Sequence, residues 1–216
     1  MGARTRSFAN LLNTDGTFLS GAINNSSLSS VTDLPTAAKS DLVLISSQTA
    51  SSSSSISFTG IDSTYRTYCF KFINIHPQND VANFHFNFST DNGSNYNVVK
   101  TTTGFKAYHD ESDTATALGY LGTTDLAQST SYQLLYYSGG NGNDENCSGE
   151  LWLFNPSSTT YVKHFMVNLN VVEYTDFSEN FYWAGYGNTT SPINAINFKM
   201  ASGNIDDGTI TMYGLK

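Results

Sequence analysis

Apolar and polar positions alternate with a period of two along most of the chain beyond residue 56. The run Phe84-His85-Phe86-Asn87-Phe88 is the clearest case, and such alternation marks a half-buried strand. It sends the three phenylalanines inward and His85 and Asn87 outward. Tyr68 to Ile75 repeats the pattern, with Tyr68, Phe70 and Phe72 on one face, Cys69, Lys71, Ile73 and Ile75 on the other, and Pro77 ending the run. Asp91-Asn92-Gly93-Ser94 predicts a hairpin turn, since Asn-Gly supplies the positive φ that tight hairpins need, and Tyr96 to Val99 is the expected return strand. Further strands are expected at Leu42–Ile45 (a short buried strand), Ile56–Phe58, Phe105–Tyr108, Tyr132–Tyr137, Leu151–Phe154, Val162–Leu169, Phe181–Trp183, Ile196–Met200 and Thr209–Tyr213. Turn signals separate them at Gly139–Gly142, Asn155-Pro156, Gly187-Asn188, Ser202–Asn204 and Asp206–Gly208. Asp110 to Leu126 reads as a long loop or a short helix. About ten strands at this spacing predict an all-β chain, a β-sandwich of jelly-roll type, with a closed barrel as the alternative.

Residues 1–40 break the pattern. Arg4 to Leu12 can form a short helical turn carrying Phe8, Leu11 and Leu12 on one face, and Ile23, Leu28, Val31 and Leu34 are scattered among small polar residues. So few large apolar groups cannot build a core of their own. The expected organisation is an extended N-terminal arm, residues 1–40, that packs on a partner, and a β-sandwich domain, residues 41–216. Ser51–Ser55 reads as a linker or an edge strand.

Composition agrees with strands and narrows the chemistry. Only 13% of the 216 residues are charged, while Tyr and Phe number 13 and 14, a balance that suits sheets better than long helices. The net charge is −8. Arg4, Arg6 and Lys39 against Asp15 and Asp33 make residues 1–40 net +1 and leave −9 on the remainder. An acidic body does not fit a nucleic-acid backbone. No apolar run long enough for a membrane span or a secretory signal occurs, so the expectation is synthesis in a cytoplasm without membrane insertion. Cys69 and Cys147 read as two buried thiols, with a disulfide open if they face each other.

No catalytic motif stands out. The four histidines never fall in HxH or HExxH spacing, and no G-x-S-x-G elbow or phosphate loop occurs. The acidic pairs Asp110-Glu111, Asp144-Glu145 and Asp206-Asp207 read as solvated turn residues in preference to a Ca²⁺ loop or a glycosidase pair. Ser89 to Tyr96 is similar to the hairpin box of sialidase propellers, but one copy without its terminal Thr-Trp reads as a tight turn in which Asp91 binds backbone amides. No metal and no cofactor is expected. The candidates for contact are aromatic, because exposed rings stack on sugars and anchor interfaces. Tyr174, Tyr182, Trp183 and Tyr186 lie in the richest segment, where Ala184 and Gly185 leave room around them.

The phrases SSSSSISFTGIDSTY (51–65), NFSTDNGSNY (87–96) and INFKMASGNIDDGTITMYGLK (196–216), with AINNSSLSSVTDLP at 22–35, resemble virion structural proteins of tailed bacteriophages, notably tail-fibre modules of aquatic phages. The resemblance implies a non-enzymatic short tail fibre or tail-associated attachment protein on the virion. Its residues 1–40 would dock on other virion proteins through Arg4, Arg6, Phe8, Leu11, Leu12, Ile23, Leu28, Val31 and Leu34. Its body would be a homo-oligomer, a trimer, with host-surface polysaccharide as candidate ligand. A capsid decoration or head-fibre protein that stabilises the capsid is the alternative. A glycan-degrading enzyme is the reading from another class.

Overall fold

A computed structural model describes residues 41–215, and among them the period-two runs become twelve strands and no helix. In chain order these are β1 (Leu42–Thr49), β2 (Ile56–Thr59), β3 (Thr67–Pro77), β4 (Ala82–Ser89), β5 (Lys100–Asp110), β6 (Thr116–Tyr120), β7 (Gln133–Gly139), β8 (Cys147–Phe154), β9 (Lys163–Glu173), β10 (Phe177–Gly187), β11 (Ala195–Met200) and β12 (Ile205–Leu215). The residues expected to form the docking arm, between Arg4 and Leu34, lie outside the described residues.

Every pairing is antiparallel. One ribbon runs β1-β12-β3-β8-β9-β10-β5-β6 and a second runs β7-β4-β11-β2. A single pair, Gly139 opposite Glu173, joins them into one nearly closed sheet. The ribbons meet through rings. Phe198 of β11 touches Phe70 and Phe72 of β3 at centroid separations of 5.7 and 5.2 Å. It also contacts Phe84 of its neighbour β4 at 6.1 Å. Phe86 and Phe88 of β4 reach Phe165 of β9 at 5.2 and 5.6 Å. Phe84, Phe86 and Phe88 are completely buried, as their alternation predicts. Burying a ring of this size is worth about 2–3 kcal/mol, so this cluster dominates the fold.

Where pattern and structure part, the cause is local. Ile75, expected opposite Phe72, is buried because the β3–β8 register slips between Phe72 and Ile75, where Asn74 takes φ 52. That is a β-bulge, and it swaps faces. Asp206-Asp207-Gly208 is not a turn but a second irregularity inside β12, with Gly208 at φ 110 packed on the backbone of Asn74 and Ile75. Leu42–Ile45 is not buried: β1 pairs only β12, and Leu44 and Ile45 are exposed. Asp110–Leu126 contains β6 in place of a helix. Tyr96–Val99 forms no strand.

Asn87, expected outward, is fully buried. The irregular 94–99 segment and residues near 130 cover it, and its Nδ2 donates to Tyr96 O at 2.7 Å and Thr130 O at 2.9 Å. Cys69 and Cys147 are buried free thiols, set against Trp152 and Ile75 on the facing strands, so they do not face each other.

Candidate functional site

The four aromatics picked from sequence separate. Trp183 points into the core, 2% exposed, with its Nε1 donating to Leu135 O at 2.9 Å. It is a packing residue, not a surface contact: alternation along β10 turns odd positions inward, and Gly104 opposite leaves space for the indole. Tyr182 and Tyr186 do share the outward face. Tyr182 stacks on Phe105 at 4.9 Å with the rings 19° apart, and Tyr186 lies 6.0 Å from the His164 ring. Tyr174 is exposed but sits in the β9–β10 turn, at the far end of the hairpin.

Cross-strand register builds a surface that no single segment reveals. Tyr182 of β10 stands opposite Phe105 of β5, which stands opposite Tyr120 of β6. One rung away Ala184 stands opposite Met166, and on the other side Ala107 stands opposite Leu118. Phe105, Leu118, Tyr120, Met166 and Tyr182 are all exposed. Ala184 floors a groove of about 260 Å³ between Met166, Tyr182 and Phe105. A second groove of about 360 Å³ runs past Thr101, His164 and Tyr186. None of the outward positions on β9, β10, β5 and β6 is Asp, Glu, Lys or Arg. By contrast Lys71 and Glu150, 3.9 Å apart, stand on the adjoining β3 and β8. Among the described residues the strand β6 is an edge, paired only to β5 and without charge or proline, the kind of edge that invites further pairing.

The opposite side of the same strands carries the charge. Lys106 Nζ donates to Glu179 Oε1, and both side chains are largely buried. The ammonium lies 4.4 Å from the Tyr137 ring centroid and 5.1 Å from that of Tyr108, within cation–π range. The second carboxylate oxygen, Glu179 Oε2, is buried and accepts no hydrogen bond from the described residues. Burial pushes the Glu179 carboxyl up, and Glu173 adds to this, against the pull of Lys106. Glu173 Oε2 accepts from Thr175 N at 2.8 Å and Thr175 Oγ1 at 2.5 Å. Tyr108 and Phe177 form an edge-to-face pair at 5.6 Å. These groups line a cleft of about 280 Å³.

Two further acids do structural work. Asp91 accepts from Ser89 Oγ, Asn95 N and Asn95 Nδ2, which hold its carboxyl down at about 2. Asp110 accepts from Ser112, Thr114 and the Ala115 amide, and its pKa falls well below the usual range. Among the described residues no group of three or more His, Cys, Asp or Glu is placed to hold a metal ion. No protein-family model, no curated protein and no solved structure matches the chain.

Proposed function

We propose that the chain is a non-enzymatic virion structural protein, a short tail fibre or tail-associated attachment protein. Residues 1–40 would dock on other virion proteins, and residues 41–216 would associate as a trimer that presents ligand sites to host-surface polysaccharide. The phage character rests on the sequence phrases quoted above. The self-association rests on one observation, the uncharged aromatic face of β9-β10-β5-β6. A body with a net charge of about −9 by sequence is repelled overall by a second copy of itself. The uncharged face is where two copies meet without opposing like charges, and the edge of β6, unpaired among the described residues, adds backbone groups to that contact. Repetition of weak ligand sites on one particle then raises attachment through effective concentration.

The strand order supports a jelly-roll reading of the architecture. With β5, β6, β9 and β10 set aside, eight strands remain. Their ribbons run first-eighth-third-sixth (β1-β12-β3-β8) and second-seventh-fourth-fifth (β2-β11-β4-β7), the pairing of a doubly wound Greek-key sandwich. On this reading β9-β10 and β5-β6 are insertions that widen one sheet into the uncharged panel.

Sedimentation of the full chain tests the association. A trimer is expected, and Ala184→Asp is expected to return monomer with an unchanged circular-dichroism spectrum. A monomer at every concentration would overturn the assembly reading. Cryo-electron microscopy of the particle tests the location. Density at the tail supports attachment, and density spread over the capsid lattice overturns it in favour of decoration.

A further inference from the structure

We propose that the cleft bounded by Lys106, Glu173, Glu179, Tyr108, Tyr137 and Phe177 is a binding subsite for one neutral sugar ring. The inference deepens the attachment reading by naming a ligand and a place for it. The cleft lies on the inner side of β5 and β10, beside Tyr137 of β7, the strand at that end of the second ribbon. Inner-face groups there stay partly open in place of joining the core.

Three features select the ligand. The first is an acceptor without a donor. Glu179 Oε2 is buried and unbonded, and a buried acceptor left empty is costly unless something fills it. A turn of the carboxylate would bring Oε2 to the cleft that Glu179 lines, where a ligand hydroxyl supplies that donor. The second is the set of ring surfaces. Tyr108 and Phe177 meet edge to face, and Tyr137 covers Lys106. Aromatic rings beside fixed polar groups suit a molecule with an apolar C–H face and hydroxyls at its rim. The third is charge and size. One ammonium against two carboxylates disfavours an anion. At about 280 Å³ the cleft falls just under the ~300 Å³ at which drug-sized pockets begin, room for one ring and not for a chain.

The site differs from the uncharged outward face, and the two are tested separately. The full chain is titrated with the methyl glycosides of glucose, galactose, mannose and N-acetylglucosamine while tyrosine ring resonances are followed by NMR. At least one glycoside is expected to bind in the millimolar range and to shift Tyr108 and Tyr137. Glu179→Gln is expected to weaken that binding at least tenfold. Phe177→Ala, which leaves the Lys106–Glu179 pair in place, is expected to weaken it about as much. Tyr161→Ala, at an exposed ring in the loop between β8 and β9, is expected to leave it unchanged. Absence of binding by all four, or equal binding by the Phe177→Ala variant, overturns the proposal. A monomer that binds sugar overturns the assembly reading alone, and a trimer that binds none overturns the subsite alone.

Discussion

Lys100 is the most unusual charge in the protein. It is completely buried at the start of β5. Its Nζ donates to Asn87 Oδ1 and to Val98 O, the latter at 2.9 Å, with neither partner a carboxylate. Burial alone draws its pKa from 10.5 to about 7. At about 1.4 kcal/mol per tenfold change in proton affinity, holding the ammonium in place costs about 5 kcal/mol relative to the neutral amine. The sign follows from proton counts. Between pH 7 and 10.5 the unfolded lysine is protonated and the folded one is not, so stability rises with pH across that window. Below pH 7 both states are charged and the full cost remains. The rise is cleanest up to pH 9, because the buried Cys69 thiol is pushed up to about 12 and opposes it at higher pH. Lys100→Met removes the cost but also two hydrogen bonds, worth about 1–2 kcal/mol each. Asn87 Oδ1 keeps the Phe88 amide at 2.8 Å. The variant is therefore expected to be about 1–3 kcal/mol more stable at pH 7, and its stability to be flatter in pH. Urea unfolding at pH 6, 7, 8 and 9, followed by tryptophan fluorescence, measures both. A variant less stable at pH 7 whose stability still climbs in parallel with that of the unmodified chain would refute the reasoning.

Two more outcomes are expected. Gly104→Ala places a Cβ 2.3 Å from the Trp183 ring, so the indole must move; a loss of about 1–3 kcal/mol is expected, with a red-shifted tryptophan emission as the check. Neither Cys69 nor Cys147 should react with a thiol reagent in the folded protein at pH 8, because both are buried and burial raises both thiols; modification should appear only in step with urea unfolding, and fast labelling of the folded chain would show that one of them opens.

The Phe84-Phe86-Phe88 run was readable because alternation, burial and strand length agree there. The all-β class followed for the same reason. Bulges were not readable. Asn74 and Gly208 sit in sequence as ordinary turn formers, yet they face each other across β3 and β12 as a matched irregularity, a property of two positions 134 residues apart. The candidate surface was half readable. Tyr182 and Tyr186 follow from their segment, but Trp183 lies between them in the same strand and the same alternation turns it inward. Phe105, Leu118 and Tyr120 join them only through the β10-β5-β6 register, which a single sequence does not contain. The cleft was invisible for a similar reason. Glu179 and Lys106 lie 73 positions apart, and nothing in either segment marks the pair.

Leu42 at the start of β1 stands directly opposite Leu215 at the end of β12. The two ends of the described chain therefore leave from one corner. Pulling those ends apart peels β1 from β12 one rung at a time, the weakest way to load an antiparallel ladder. A load applied at Leu42 and resisted at β10 crosses β12, β3, β8 and β9 in turn, and ladders in series each bear the whole force. Tension that enters through that corner therefore meets the β1–β12 ladder before any other.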